Sequence, residues 1–519
     1  MTISYTVSEN IKPKMKKNNK KPTNKKSEKK QLQIIGQGTY GCVFRPEINC
    51  RTQQSGSKDY LSKIQMADNI SSAEIELGKI IQTIPNYRFF FAPILSYCDI
   101  NLSTIDQRQI EKCDMVKDAL KEHHNPKFIS NKIQYAGKNT LGTYFHELLV
   151  NKCANGGDNP LNCVSTNSKK KKNSINIYLS KIVESHLYLL NSIQLLNDKG
   201  IVHLDLKENN VMHDDDNDIF ILIDYGLSAQ NKLLEPATYE KTATKSFGVL
   251  TTDPYSPWCI EVVMMSYIAR QIKLDKLSTD KNASIVDPAK FQEKITNVHV
   301  DEMKKYCTLH VTKNDILQLR IITQGERNDY EKRLHKWVTS FKGKSWKEVW
   351  TTILESHKSW DNYGIAVIFL YEFLDTGILD LIIHHNNSDN AKIISNTNDD
   401  KPIQNKPAKN IWNTISEVVT NATSEQRKEF HFLIDYVSLM KNMLIAEPLT
   451  MKTATETSKE IKTIFKKLNK SNYTNVVKIL NTKILTHKNI KTAKENKLRR
   501  TLYDLKTEKE LTEIIRDKK

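Results

Sequence analysis

Residues 34–44 read Ile-Ile-Gly-Gln-Gly-Thr-Tyr-Gly-Cys-Val-Phe. Gly36, Gly38 and Gly41 stand in G-x-G-x-x-G order, and Val43 follows two places on. Without a Cβ, glycine lets the backbone come close to phosphate oxygens and turn successive N–H groups toward them. A dinucleotide-binding turn shares this spacing but must run straight into a helix. Here the chain continues through Val43 and Phe44 to Pro46 with no helical periodicity. A strand, glycine loop and second strand folded over a nucleotide satisfies those flanks. A plain glycine turn is the simpler alternative.

A second constellation lies at 200–226. Residues 200–212 read Gly-Ile-Val-His-Leu-Asp-Leu-Lys-Glu-Asn-Asn-Val-Met, the pattern H-x-D-L-K-x-x-N with His203, Asp205, Lys207 and Asn210. Asp224 follows Asp205 by nineteen residues, in the run Ile-Asp-Tyr-Gly that ends at Gly226. The apolar run Ile219–Ile223 predicts a strand entering that aspartate. These residue types suit phosphoryl transfer, which needs positioning and charge neutralisation more than covalent chemistry. Asp205 is fitted to orient an attacking hydroxyl and take its proton. Lys207 is fitted to offset charge on the transferring group. Asn210 and Asp224 supply two oxygen ligands for Mg²⁺ against phosphates.

The rest of the chain limits the classes to which these motifs can belong. Apolar residues make up 39% and charged residues 27%, enough for a sizeable core and too ordered a mixture for a wholly disordered chain. The most apolar window, Tyr363–Ile383, is interrupted by Glu372, Asp375 and Asp380 and reads as a buried helix, so no membrane insertion is expected. No signal-peptide-like stretch opens the chain, and the eight cysteines form no C-x-x-C. An intracellular protein with reduced thiols is expected. The net charge is +18, of which residues 11–30 and 467–519 carry +9 each, so the body is nearly neutral. Residues 1–30 are expected to be a disordered basic tail, and 467–519 a basic helical extension. Such ends can engage nucleic acid or an acidic partner. A solvated, solubilising role is the plainer reading, since only 12 of the 78 basic residues are arginine.

Taken together, the two motifs resemble those of the eukaryotic-type protein kinases. The phrases Gly-Gln-Gly-Thr-Tyr-Gly-Cys-Val-Phe-Arg-Pro and Ser-Lys-Ile-Gln, and the Asn/Lys/Ile-rich composition, more narrowly resemble the divergent serine/threonine kinases of large nucleocytoplasmic DNA viruses, mimivirus-like ones especially. The resemblance spans about 31–466. It implies an α+β, bilobal, kinase-like fold with a small β-rich N-lobe (about 31–136) and a large helical C-lobe (about 137–466). It implies ATP and Mg²⁺ as cofactors, Ser/Thr proteins as substrates, and the host cytoplasm or virion as location.

The same resemblance distributes roles. Ile35, Gly36, Gln37, Gly38, Thr39, Tyr40, Gly41, Cys42 and Val43 would cover the nucleotide. Lys63 would anchor its phosphates and Glu74 would pair with that lysine, with Glu76 as the alternative. Ile133 would stand at the back of the adenine pocket, with Gln134 to Ala136, chiefly Gln134 and Ala136, offering backbone groups to the base. Asp205 and Lys207 would be catalytic, and Asn210 and Asp224 metal-binding. Pro254–Glu261 is similar to the end of an activation segment, and Asp361 would brace the catalytic loop. Residues 179–198 have the spacing of a helix leading to that loop.

Several residues depart from the family pattern. Leu204 replaces the arginine that receives an activation-loop phosphate. Met451 stands where a partner arginine for Glu261 is expected, with Lys452 as the nearest substitute. Leu61 replaces a small residue over the adenine. Insertions fall at about 100–130, 151–175 and 265–355. In the last, Trp337, Val338, Phe341, Trp346, Val349 and Trp350 have helical spacing, while Ile316, Leu317, Leu319 and Ile321 fit helix or strand. A catalytically weak scaffold that binds nucleotide without transfer is the alternative function.

Overall fold

Gly38 and Gly41 pair across the tip of a hairpin whose arms are β1 (Gln33–Gly38) and β2 (Gly41–Arg45). The computed structural model describes residues 32–38, 41–52, 56–153, 169–239, 255–273, 286–319, 321–375 and 424–468. Thr39, Tyr40, residues 154–168 of the second insertion and both basic ends (1–30 and 469–519) lie outside the described residues. The described architecture is mixed α+β, with small antiparallel sheets and a mostly helical remainder. The chain divides into two compact units. The first holds the described residues up to Thr83, Ala92–Ala136 and Asp224–Gly226, and the second holds Ile84–Phe91, Gly137–Ile223 and the described residues from Leu227.

The first unit is built on a five-stranded antiparallel sheet in the order β1-β2-β3-β5-β4, with β3 Tyr60–Met66, β4 Ile94–Ile100 and β5 Phe128–Gln134. Side chains alternate across a strand, so its two faces separate cleanly. Cys42, Phe44 and Ile64 turn toward a sealed cluster with Ile105, Ile110, Cys113 and Val116. Val43, Leu61, Lys63 and Ile133 share the opposite face, since Val43 pairs with Lys63 and Leu61 with Ile133. Helix α1 (Asn69–Ile81) begins at a capping box: Asp68 accepts the Ser71 N–H at 2.9 Å and Ser71 Oγ accepts the Asp68 N–H at 3.1 Å. A Cβ on Gly78 would come 2.5 Å from the Ile94 carbonyl oxygen, so only glycine lets α1 lie this close to β4.

The expected set of reduced thiols is corrected here. Cys42 is joined to Cys113, and Cys50 to Cys98, with Cα separations of 5.9 and 5.8 Å. Partners 71 and 48 residues apart form no local spacing motif, so only the fold brings them together. Cys259 and Cys307 are buried free thiols. The first link ties the glycine hairpin to the insertion after β4, in which helix α2 (Asp114–Glu122) begins just after Cys113. Hydrogen bonds reinforce it. Gln37 Nε2 donates to Asp114 Oδ2 (3.2 Å), the Asp114 N–H donates to Gln37 Oε1 (3.3 Å), and the Ile34 N–H donates to Gln109 Oε1 (3.2 Å).

In the second unit, α3 (Leu141–Cys153) and the long α4 (Lys169–Asn197) follow a short strand, β6 (Asn139–Thr140). β6 pairs with β8 (Val211–Asp214), which pairs with β9 (Ile219–Leu222). β7 (Ile201–Val202) pairs with β10 (Ala229–Gln230). Gly137, at φ +124°, stands where a Cβ would collide with the His213 carbonyl oxygen at 1.9 Å. Helix α5 (Ile260–Gln271) packs against α6 (Asn297–Lys313) and α8 (Trp346–Leu354), and α6 packs against α7 (Gln324–Thr339). Helix α9 (His357–Asp375) is buried without interruption from Ser359 to Leu370, so it is central rather than amphipathic. It packs with α4 and with α10 (Ser424–Leu444), and α11 (Ala454–Leu468) packs on α4 and α10.

Two local readings change. The aromatic run from Trp337 to Trp350 is not one helix: α7 ends at Thr339, Gly343 adopts φ +81°, and α8 starts at Trp346. Ile316 and Leu317 lie in a 3₁₀ turn, Asp315–Gln318, rather than a strand. No helix among the described residues is long and apolar enough to cross a membrane.

Two testable outcomes follow from this packing. Cys113→Ser should lower the unfolding free energy by about 2–4 kcal/mol, the usual contribution of a long-loop disulfide. Urea melts of wild type and variant check this, and reductant, which also opens Cys50–Cys98, should destabilise the wild type by more than the substitution does. His186, stacked on Phe369 at 4.3 Å, and His310 are both buried, which lowers their pKa values to about 3 and about 4. Unfolded histidine takes up a proton near pH 6.5, so stability should be lost as pH falls from about 6.5 toward those values, by about 1.4 kcal/mol per unit per ring. Urea midpoints between pH 7 and 4.5 check this, and His310→Leu should flatten the slope.

Candidate functional site

β3 and α1 together enclose one buried cation in the first unit. Lys63 Nζ donates to Glu74 Oε1 and Oε2 at 2.9 and 3.0 Å and to Asp224 Oδ1 at 3.0 Å. Gln65, on the same face of β3 two residues on, donates to Glu74 Oε2 at 3.0 Å. Burial pulls the Lys63 pKa down, but Asp224 and Glu74 outweigh it and hold the amine well above its ordinary value. Lys63 is therefore charged across the working pH range. Glu76, the alternative partner, is exposed and pairs with Lys79 instead. Asp224 takes a left-handed backbone, φ +61°, and its side chain is 43% exposed.

The glycine hairpin covers the adjoining strand closely. A Cβ on Gly41 would sit 2.7 Å from the Ile64 carbonyl oxygen, so glycine is required for the approach to β3. Gly36 pairs with Val43 and Gln37 with Cys42, and the Ile35 side chain is 50% exposed. One expectation is narrowed: the Cys42 side chain turns away into the core and its disulfide, so a bound nucleotide could meet only its backbone. At the end of β5, Tyr135 donates its N–H to the Asp59 carbonyl (2.9 Å), and the Arg45 guanidinium lies 3.4 Å over its ring. That N–H is taken, Gln134 pairs with Tyr60 across β3 and β5, and Ala136 is buried.

The second unit carries the other constellation. Asp361, on α9, accepts the N–H groups of His203 (2.7 Å) and Leu204 (2.9 Å). Leu204 sits at φ +62°, a conformation costly to a branched residue, so the loop needs such restraint. Further contacts fix it. Trp258 Nε1 donates to the Leu204 carbonyl (2.6 Å), Ser228 Oγ donates to the His203 carbonyl (3.0 Å), and His203 Nε2 lies 3.1 Å from the Ile223 carbonyl. Asp205 then emerges 6% exposed, with Lys207 Nζ 3.1 and 3.0 Å from its two oxygens.

Asn210 Nδ2 donates to both the Asp205 carbonyl and Oδ2, each at 2.8 Å. Both neighbours are acceptors, so the amide nitrogen must face them, and the ligand Asn210 can offer a cation is its amide oxygen. The Asn210 carbonyl accepts the Ile223 N–H at 3.0 Å, which fixes this residue to the strand end just before Asp224. Among the described residues, no three His, Cys, Asp or Glu side chains gather as a closed metal cage.

Two residues without an expected role of their own join these sets. Gln65 buttresses Glu74, a period-2 relation to Lys63 that strand alternation could have suggested. Tyr255 donates its hydroxyl to Asp205 Oδ1 and lies 3.2 Å from Lys207 Nζ, a contact no local spacing announces. The expected brace at Glu261 is also differently made. Glu261 Oε1 accepts the Leu449 N–H at 2.8 Å, while Lys452 pairs with Glu460 and Met451 is buried. No model of a known protein family and no curated protein matches this chain.

Asp361→Asn would turn an amide N–H₂ toward a backbone N–H and lose charge assistance in both bonds. It should destabilise the protein by about 1.5–3 kcal/mol. Urea denaturation followed by circular dichroism checks this, with the wild type as reference.

Proposed function

We propose that this chain is a serine/threonine protein kinase with a bilobal, kinase-like fold, transferring the γ-phosphoryl group of ATP to protein hydroxyls. The observation that carries the reading is the buried Lys63–Glu74 pair, joined by the partly exposed Asp224, beside a glycine hairpin. Holding an ammonium group out of water is costly unless carboxylates compensate, and sites that bind phosphates repay such an arrangement.

In this reading Lys63, oriented by Glu74, binds phosphate oxygens, and hairpin backbone N–H groups cover them. Val43, Leu61 and Ile133 give the purine an apolar face. Asp205 orients the incoming hydroxyl and takes its proton, while Lys207 offsets negative charge on the moving phosphoryl group. The Asn210 amide oxygen and the Asp224 carboxylate would hold Mg²⁺, which neutralises phosphate charge when bound. The lysine two places after Asp205 supports Ser/Thr rather than tyrosine substrates by the same resemblance, and that resemblance alone carries the host cytoplasm or virion as location.

The test is transfer of labelled γ-phosphate from Mg-ATP to a panel of Ser/Thr proteins. Wild type should label the panel, and Asp205→Ala and Lys63→Met should each reduce the rate about 100-fold or more. Nucleotide binding without transfer by wild type would instead make the chain a scaffold.

A further inference from the structure

The two disulfides of the first unit differ in how far solvent reaches them. Cys42 and Cys113 are fully buried, in the cluster that also holds Phe44, Ile48 and Ile64. Cys50 is exposed and Cys98 half-buried, and Cys98 lies on β4, an edge strand of the sheet. Ile48 connects the two sites: it is buried in that cluster and stands two residues before Cys50. The Cys50–Cys98 bond therefore clamps a segment that helps to enclose Cys42–Cys113. Noncovalent restraints act on the same segment. The Ile48 N–H donates to Ser62 Oγ (2.8 Å), and Glu47 pairs with Lys132 (2.7 Å). Val43, next after Cys42, pairs with Lys63, so the buried bond anchors the strand beside the lysine assigned above to phosphate.

We infer that these bonds form an ordered redox switch: Cys50–Cys98 is a thiol–disulfide exchange site, and its opening admits a dithiol to Cys42–Cys113, whose loss releases the glycine hairpin. The effect on nucleotide rests on the kinase reading. In each step one thiolate of the dithiol attacks a protein sulfur, Cys50 Sγ first. The S–S bond breaks, and the partner sulfur leaves with the electron pair and takes up a proton. The second thiol then attacks the mixed disulfide, the protein sulfur leaves and is protonated, and the reductant departs as its own disulfide. Each protein bond thus takes up two electrons and two protons. Exchange needs access as well as a thiolate, so the exposed bond reacts directly. The buried bond reacts through local opening, which is easier once a covalent tie at the edge strand is gone. With Cys42 freed, the hairpin keeps only hydrogen bonds to the insertion at Gln37–Asp114 and Ile34–Gln109, and these fray where a covalent bond does not. A mobile hairpin must be ordered at each nucleotide binding, and that ordering costs affinity.

The experiment exposes the full oxidised chain to dithiothreitol, quenches samples with N-ethylmaleimide over time, and maps the trapped thiols by mass spectrometry. Parallel samples are read for affinity toward a fluorescent ATP analogue with Mg²⁺, with circular dichroism to follow the fold. Cys50 and Cys98 should be trapped first, with affinity unchanged. Cys42 and Cys113 should follow after a lag, and affinity should fall about tenfold with them, the order of cost of ordering a loop on binding. The Cys50→Ser/Cys98→Ser double variant should lose the lag, and Cys113→Ser should show the weaker affinity without reductant. Trapping of all four cysteines before reductant is added, trapping of Cys42 and Cys113 first, or a lag that survives in the double variant overturns the ordered switch. Loss of Cys42–Cys113 in a folded chain with unchanged affinity overturns the release of the hairpin and leaves the kinase reading standing. An oxidised chain that binds no ATP analogue and labels no Ser/Thr panel removes the kinase reading, and the order of trapping still decides whether Cys50–Cys98 is the exchange site.

Discussion

Two backbone N–H groups, those of His203 and Leu204, end on the carboxylate of Asp361, which lies on a helix buried around its whole circumference. Most of the candidate chemistry in the second unit depends on that fork. It compensates for the left-handed backbone at Leu204 and so sets the direction in which Asp205 leaves the loop. Burial raises the Asp361 pKa, and the neighbouring His203 ring and the two N–H donors oppose that rise. A rigid anchor within a packed helix is a stronger support than another loop would be.

The first unit solves a similar problem by opposite means. Its charged group is a cation, and two carboxylates with a glutamine hold it where water is largely excluded. Removing one partner from such a set is more damaging than the set itself is stabilising, because the remaining charge stays buried. The value of the arrangement is therefore its fixed geometry. The sheet beneath it is stiffened from the other face by the insertion that carries Cys113, Asp114 and Gln109. The insertion at about 100–130 is bonded to the glycine hairpin by a disulfide and by the hydrogen bonds of Asp114 and Gln109.

Much of this was legible before the fold was known. The glycine run gave a hairpin because its flanks lacked helical periodicity, and Ile219–Leu222 is a strand as its apolar run predicted. Lys63 and Glu74 meet, and Asp361 reaches the loop, as the resemblance implied. What remained hidden was nonlocal. Cys42 and Cys113 are too far apart in sequence for spacing to pair them. Tyr255 reaches Asp205 from fifty residues away. The helix break at Gly343 was masked because aromatic side chains continue through it and keep the apparent period.

Glu261 illustrates how a constraint can move from one level of the molecule to another. Where a side-chain cation was expected, the carboxylate binds the backbone N–H of Leu449, a residue at φ +68°. Every non-proline residue carries that donor, so the chemical identity of the neighbouring side chains ceases to matter for this contact. What inheritance must preserve is a bend in the main chain. The side chains of Leu449 and Thr450 are thereby released from this contact, which is held instead by a torsion angle that no substitution table records.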